Sequence, residues 1–237
     1  MEFMSPLEKG RLVKRYKRFL ADVILEDGSL VTAHCPNSGS MLGVKEEGAT
    51  VWLSKSDNPK RRLAYTWELI EVDGALVCVH TTQANRVVEE ALLAKTIEPL
   101  APYTHIRREV AYGINSRIDF LLTSEGLPDL YLEVKSVTLK REGMAQFPDA
   151  VTTRGQKHMD ELARMVTDKG ARACLLYVVQ RPDAQDFSLA RDIDPTYAKA
   201  AASAKLSGVE ELCYGCDVTT MGVTLTRPLH ITNEVTA

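Results

Sequence analysis

The spacing of apolar residues changes once along this chain of 237 residues, near residues 82–100. Before that point, from Leu12 to about Val79, apolar and polar residues alternate in short runs, and Asp27-Gly28 and Asp73-Gly74 lie between such runs. Alternation with a period of two and Asp-Gly pairs are typical of antiparallel strands joined by hairpins. The first part of the chain therefore predicts about five short strands, which suit a small closed β-barrel.

After residue 100 the pattern alternates between strands and helices. The strand-like runs are RIDFLLT, LYLEVKSV, ACLLYVV and VEELCYGCDV, and helix-like runs cover residues 154–169 and PTYAKAAASAKLSG. A hairpin followed by such alternation predicts a mixed sheet flanked by helices. We predict an α+β or α/β chain with an OB-like β-barrel over residues 1–82 and a mixed-sheet domain over residues 83–237. Another small β-sandwich is the alternative for the first domain.

Charge is distributed unevenly along the chain. The net charge is −3, yet residues 1–18 contain six Lys or Arg against two Glu. Such local basic clusters permit one face that attracts nucleic acid. Because no run approaches the roughly 18 apolar residues of a membrane helix, and the first residues lack the apolar core of a secretion signal, we expect a cytoplasmic protein with no membrane partner.

Three charged residues on two neighbouring strands suggest chemistry. In the run YLEVKSV, Leu132 and Val134 share one face of a strand, whereas Glu133 and Lys135 share the other. Asp119 lies in the preceding strand, with Ile118 expected on the opposite face together with Phe120. The turn between the strands would bring Asp119 next to Glu133. By itself a Glu-x-Lys run is equally well explained as the solvated face of a sheet.

Two carboxylates and a lysine in this order fit phosphodiester hydrolysis. Asp119 and Glu133 could share one divalent ion, Mg²⁺ or Mn²⁺, while Lys135 orients water or offsets charge in the transition state. This is the core of the PD-(D/E)xK nuclease pattern. Its further members occur in the expected order, as Glu109 upstream and Gln156 downstream.

The helix that carries Gln156 has its own internal signals. Thr153 and Gln156 match a capping box, and the apolar stripe predicts that Gln156 points inward, towards the metal site. The members of that stripe are Met159, Leu162, Ala163 and Val166. The expected solvated face consists of Lys157, Glu161 and Arg164.

Several stretches together resemble the bacterial and archaeal sugar fermentation stimulation protein A family, from about residue 3 to residue 225. They are RYKRFLADV, HCPNSGSM, SDNPKRR followed by TWELI, SRIDF, YLEVKSVTL, FPDAVTTRGQKH and RDIDPTYA. The resemblance implies an N-terminal OB-fold, a C-terminal domain of the PD-(D/E)xK superfamily, sequence-independent DNA binding and a regulatory role in sugar (maltose) metabolism. The acidic pattern of the family falls on Glu109, Asp119, Glu133 and Lys135, and Gln156 also matches.

Basic residues are the candidates for binding nucleic acid, because they neutralise phosphates without reading bases. In the barrel region, Lys14, Arg15, Lys17 and Arg18 are expected to open the first strand. The others are Lys60, Arg61, Arg117 and Arg154. Phe19 interleaves with these cations and could stack on bases of a single strand, although we expect it to pack in the barrel core.

Three functions fit these patterns. The first is a sequence-nonspecific DNA-binding protein, with RNA as a further partner, whose nuclease-like domain supplies the groove. The second is an active Mg²⁺-dependent nuclease that uses Asp119, Glu133 and Lys135. The third is a protein that binds another ligand, such as a sugar, in the OB-like domain. The sequence contains no helix-turn-helix or zinc-finger pattern, so sharp operator specificity is not predicted.

Overall fold

A computed structural model describes residues 1–113 and 116–232. The predicted second domain also includes residues 114–115 and 233–237, which lie outside the described part. In the first part of the chain, six strands form one sheet in the order β3-β2-β1-β4-β5-β6, and β3 also pairs with β5, which closes the predicted OB-like barrel. The strands are β1 Glu8–Tyr16, β2 Leu20–Leu25, β3 Leu30–His34, β4 Thr50–Lys55, β5 Tyr65–Val72 and β6 Ala75–Cys78.

The barrel forms because alternate residues of its strands are apolar and meet inside. Leu12, Val23, Leu53 and Trp67 belong to this interior, and Trp67 is fully buried. The strands pack closely at Gly10, where a Cβ atom would come within 2.7 Å of the carbonyl oxygen of Ile24. A side chain at this position of β1 would therefore force the barrel apart.

The rest of the chain forms the mixed sheet with its helices and a small second sheet. The main sheet has the order β15-β14-β12-β9-β8-β7, and the small one has the order β10-β11-β13-β16. The strands are β7 His105–Tyr112, β8 Ser116–Thr123, β9 Leu130–Val137, β10 Leu139–Arg141, β11 Met144–Phe147, β12 Arg172–Val179, β13 Asp186–Leu189, β14 Glu210–Val218, β15 Val223–Pro228 and β16 His230–Ile231. The helices are α1 Gln83–Leu93, α2 Thr153–Lys169 and α3 Pro195–Leu206, and a 3-10 turn covers Glu98–Leu100.

Each face of the main sheet has its own apolar core. On one face, residues such as Phe120 and Leu132 pack with α1 and with the outer surface of the barrel. On the other face, residues such as Leu175 and Tyr177 pack with α2, α3 and the small sheet. The sheet is thus covered on both faces, as expected for a layered α/β arrangement. None of the helices in the described part of the chain is long and apolar enough to cross a membrane.

The helices agree with prediction apart from their ends. Helix α2 begins one residue earlier than expected, because the side chain of Thr152, and not that of Thr153, accepts the cap hydrogen bond from the N–H of Gly155 at 3.1 Å. The predicted capping box of Thr153 and Gln156 is therefore wrong. Strand β15, which was not predicted, pairs with β14 as an antiparallel edge.

Candidate metal and nucleic-acid site

The antiparallel strands β8 and β9 bring the predicted charged residues together. Their register pairs Phe120 with Leu132, and the ladder ends at this pair. Where it ends, the carboxylate of Asp119 accepts the N–H of Val134 at 2.8 Å and replaces the missing backbone partner. Leu132 and Val134 face the α1 side, as predicted. Ile118 packs in the core on the other side, so the expectation that it shares a face with Phe120 is wrong.

Glu133 is a buried carboxylate, only 4 % exposed, with two unlike oxygen atoms. Its Oε1 accepts hydrogen bonds from Lys135 Nζ at 2.6 Å and from the ring of His158. Its Oε2 is buried and has no hydrogen-bond partner in the described part of the chain. Burial would raise the pKa of Glu133, but the charge of Lys135 and the bond from His158 lower it below the ordinary value. Glu133 is therefore held ionised.

Asp119 has the opposite electrostatic balance. Burial and the neighbouring charge of Glu133 raise the pKa of Asp119 to about 6, although hydrogen bonds act against this rise. One of these bonds comes from Asn85 Nδ2, on the first turn of α1, at 2.8 Å. Two carboxylates side by side, one with a lowered and one with a raised pKa, are typical of a functional site.

His158 and Arg154 extend the cluster along α2. Arg154 Nε lies 3.3 Å from His158 Nε2 and donates to it. His158 Nδ1 contacts Glu133 Oε1 and lies 3.3 Å from Lys135 Nζ, and because a carboxylate can only accept, Nδ1 donates to Glu133. His158 therefore fixes the orientation of Glu133. Sequence reasoning missed it, although His158 precedes Met159 on the buried face of the helix.

Gln156 does not reach the carboxylates of the strands. Its Nε2 donates to both carboxylate oxygens of Asp194, the residue that caps α3, at 3.2 and 3.3 Å. The prediction that Gln156 is aimed at the metal site is wrong, because its amide is directed to Asp194, and it is His158 that contacts Glu133. Gln156 joins α2 to the start of α3.

Glu109 lies opposite Asp119, at a gap in the ladder between β7 and β8. The register runs without a shift from the pair Arg108 and Phe120 to the pair Val110 and Ile118, and Glu109 and Asp119 between them are not paired. The φ of Glu109, 51°, is in the left-handed region, and its side chain is exposed. The carbonyl oxygen of Glu109 accepts Arg117 Nη1 at 2.7 Å, so Arg117 holds the backbone at this gap. A catalytic role for the Glu109 carboxylate stays a prediction.

Two further side chains near the carboxylates were not singled out from the sequence. Tyr112 is buried, its hydroxyl has no hydrogen-bond partner in the described residues, and its pKa is raised by burial and by the charges of Glu133, Glu161 and Asp119. Glu161 was expected on the solvated face of α2, but it is only 3 % exposed. It forms an ion pair with Lys157 at 3.5 Å. The expectation that Glu161 is solvated is therefore wrong.

The basic side chains of the barrel differ in how far contacts within the protein already occupy them. Lys14 lies near the end of β1, where it contacts Asp22 at 3.8 Å and the ring of Tyr16. Arg15 Nη2 donates to the carbonyl oxygens of Asn37 at 2.8 Å and Gly39 at 3.0 Å. Arg15 thus holds the loop that follows β3, and part of its guanidinium is occupied.

Lys17 and Arg18 were expected to open the first strand, but they form the tip of the turn between β1 and β2. Both are exposed, and both have positive φ, of 48° and 62°. Phe19 follows at the same tip and is 46 % exposed, so the expectation that it packs in the core is wrong. The turn presents two cations and an aromatic ring.

The remaining basic residues lie on other surfaces. Lys60 and Arg61 belong to the exposed loop between β4 and β5, where Arg61 Nη2 donates to Thr66 Oγ1 at 2.9 Å. Arg154 is exposed at the start of α2 and, through His158, lies next to Glu133. Of the predicted residues, the structure brings together Asp119, Glu133, Lys135 and Arg154. Among the described residues, no group of three or more His, Cys, Asp or Glu side chains is arranged to hold a metal ion.

Comparison with known families agrees with the fold. The model of the SfsA N-terminal OB domain matches residues 13–79, and that of the sugar fermentation stimulation protein RE domain matches residues 82–222. The chain belongs to the sugar fermentation stimulation protein family. A homolog of this family from Dinoroseobacter shibae is 54 % identical over 98 % of this chain and 96 % of its own length. Another, from Paramagnetospirillum magneticum, is 52 % identical over 97 % of both chains.

A solved structure of the family has the same fold. SfsA from Pyrococcus furiosus, described in complex with Ca²⁺, superposes with a TM-score of 0.89 over 98 % of both chains, at 24 % identity. The barrel followed by a mixed sheet with helices is therefore the fold of the family. At this identity the comparison concerns the fold, and the site of the present chain depends on its own residues.

Proposed function

We propose that the protein binds DNA without regard to sequence and that its C-terminal domain hydrolyses phosphodiester bonds with a bound divalent ion, Mg²⁺ or Mn²⁺. The observation that carries the proposal is the buried Oε2 of Glu133, which has no hydrogen-bond partner in the described part of the chain and lies on the residue next to Asp119 in the strand pair. A buried anionic oxygen without a partner is costly, and a cation would remove that cost.

The residues fit a hard cation. Asp119 and Glu133 offer carboxylate oxygens, which are the ligands that Mg²⁺ prefers, and this ion usually takes the rest of its shell from water and phosphate. Two protein carboxylates are therefore enough, even though no larger cluster occurs among the described residues. When bound, the ion would polarise the scissile phosphate and make an attacking water more acidic. The family member from Pyrococcus furiosus, described in complex with Ca²⁺, supports a divalent ion that takes oxygen ligands.

Lys135 supplies the positive charge of the protein itself. Its ammonium group is held at 2.6 Å from Glu133 Oε1, with 11 % of the side chain exposed. From there it would orient the attacking water, or donate to a phosphate oxygen as negative charge accumulates in the transition state. His158 binds the same Oε1 atom of Glu133 and lies 3.3 Å from Lys135 Nζ, so that Lys135 and the carboxylate do not need to reorganise during the reaction.

DNA affinity would come from exposed cations that neutralise phosphates. Lys17, Arg18 and Arg154 are exposed, and Lys60 and Arg61 lie on a neighbouring barrel loop. Contacts of this type carry no sequence information and weaken as salt displaces them. A role in the regulation of sugar metabolism, which membership of the family suggests, would depend on this binding.

The proposal is tested by incubating the protein with single- and double-stranded DNA and with RNA in Mg²⁺, in Mn²⁺ and in chelator. The parent is compared with Glu133→Ala/Lys135→Ala and with Lys95→Ala/Glu98→Ala, which removes the same charges from exposed positions away from the site. We expect metal-dependent cleavage by the parent and by the exposed-site control only. Salt-sensitive binding without cleavage in all three proteins would contradict hydrolysis and leave a DNA-binding protein.

A further inference from the structure

A cleft of about 380 Å³ lies between the barrel and the C-terminal domain. The barrel lines it with Arg18 and with the loop at Asn37–Gly39, and the other domain lines it with Lys135 and with residues 147–152. A cleft of this volume can hold part of one nucleic-acid strand, and it is too small for a double helix. One end of the cleft is thus the lysine of the candidate catalytic site.

The two walls of the cleft are fixed to each other. Asp149 Oδ2 accepts the N–H of Met41 at 2.8 Å, and the hydroxyl of Ser40 donates to the carbonyl oxygen of Asp149. Asp149 is the only acidic residue among the described residues that line the cleft, and its carboxylate accepts the N–H of Met41. The cleft is therefore already formed, and its lining carries two cations, Arg18 and Lys135, of which Lys135 is paired with Glu133.

The turn between β1 and β2, which reaches the cleft through Arg18, has a strained backbone. Lys17 and Arg18 both have left-handed backbone angles, which cost non-glycine residues about 1 kcal/mol or more each. The N–H of Cys35 donates to the carbonyl oxygen of Phe19 at 2.8 Å and fixes the tip beside the cleft loop. The strained turn thus projects two cations and a half-exposed ring at a defined place.

On the other wall, Val151 lines the cleft and is 70 % exposed. Arg154 follows three residues later, is exposed, and lies just outside the residues that line the cleft. On each side of the cleft, an apolar side chain and a cation are therefore close together along the chain. Cations match phosphates, whereas apolar and aromatic surfaces match base faces, which are accessible in a single strand and covered by stacking in a duplex.

We propose that this cleft binds single-stranded nucleic acid, with Phe19 stacked on a base and with Arg18 and Arg154 on flanking phosphates, and that it leads the strand to Lys135. The inference rests on the proposed function and adds the form of substrate that the site takes. A duplex would meet only the outer cations, and its bases would not reach Phe19.

Binding is measured by fluorescence anisotropy with a labelled single strand of about 12 nucleotides, within the site size of one OB-fold, and with the matching duplex. The full chain is used in chelator, so that neither metal nor cleavage is needed. The variants are Phe19→Ala, Phe19→Trp and, as control, Leu30→Ala, which removes another exposed apolar side chain of the barrel away from the cleft. Circular dichroism checks that each variant is folded.

We expect the parent to bind the single strand more tightly than the duplex. Phe19→Ala should lose about 5- to 100-fold in affinity for the single strand, as the loss of base stacking predicts. Phe19→Trp and Leu30→Ala should bind as the parent does. Equal affinity for both forms, no binding of either, or equal effects of Phe19→Ala and Leu30→Ala would overturn the inference. Metal-dependent cleavage of duplex without strand preference would overturn it and leave the proposed function standing. Strand-selective binding without cleavage in any metal would contradict the hydrolysis in the proposed function and leave this inference standing.

Discussion

In the mixed sheet, Glu133 and Lys135 are buried and hydrogen-bonded to each other, whereas at the tip of the barrel hairpin Lys17 and Arg18 are exposed on strained backbone. Buried groups are already oriented, and their electrostatic effect is large because little water screens it. Exposed cations attract phosphates at long range but lose this attraction in salt. The difference suggests that the sheet domain performs the chemistry and that the barrel supplies affinity, and the variants below separate the two.

The largest effect is expected from Lys135→Met, which keeps the length of the side chain and removes its charge. We expect cleavage in a single turnover to fall by about 10²- to 10³-fold, the usual effect of losing one preorganised group that stabilises transition-state charge. Affinity for DNA in chelator should change little, because Lys135 is mostly buried. A loss of affinity as large as the loss of cleavage would contradict the division between the two domains.

His158→Ala tests whether the orientation of Glu133 matters. Because His158 touches Glu133 and not the substrate, we expect about a 10- to 100-fold loss of cleavage and of Mn²⁺ affinity, as for other partners of metal ligands. Gln156→Ala is the control on the same helix, since Gln156 binds Asp194 instead. It should leave Mn²⁺ affinity unchanged. Equal effects of the two variants on Mn²⁺ titrations would show that α2 as a whole, and not His158, supports the site.

The two carboxylates should affect stability with opposite signs. The pKa of Asp119 is raised to about 6, so its stabilising contribution is present below pH 3.8, the ordinary pKa, and is lost as pH rises through 6. Without metal, Asp119→Asn should therefore be more stable than the parent near pH 7, by about 3 kcal/mol. The pKa of Glu133 is lowered, so its contribution is present above the ordinary pKa and is lost as pH falls, and Glu133→Gln should destabilise near pH 7.

Urea unfolding in chelator at pH 4 to pH 8 measures both effects. The advantage of Asp119→Asn over the parent should grow as pH rises from 4 to 7. If it is constant over this range, or if Glu133→Gln behaves in the same way, the two carboxylates do not differ as described.

A smaller effect is expected from Lys17→Ala/Arg18→Ala. Removal of two phosphate contacts should lower DNA affinity about tenfold at low salt and reduce the slope of log affinity against log salt by about 1.5 to 2. Lys9→Ala/Arg11→Ala, at exposed positions of the same barrel, is the control. Cleavage at saturating DNA should be unchanged. A variant that binds normally but cleaves poorly would reverse the roles of the two domains.

The sequence predicted the fold and the centre of the site because both depend on local patterns. Alternation in YLEVKSV placed Glu133 and Lys135 on one face of β9, and Asp-Gly turns marked the hairpins. It failed where contacts between distant parts of the chain decide what a side chain touches. His158 contacts Glu133, and Gln156 contacts Asp194, although both residues lie near the start of the same helix. The left-handed backbone of Glu109, Lys17 and Arg18 depends on how the strands pair, which local patterns do not contain.

The most direct test of the metal site is an anomalous difference map from crystals grown with Mn²⁺. We expect a peak at about 2.0 to 2.4 Å from an oxygen of Asp119 and from Glu133 Oε2, the usual range for oxygen ligands of such ions. The same peak should be absent from crystals of Asp119→Asn/Glu133→Gln. A map without a peak between these two carboxylates, from a protein that nevertheless cleaves DNA in Mn²⁺, would contradict the assignment of the site.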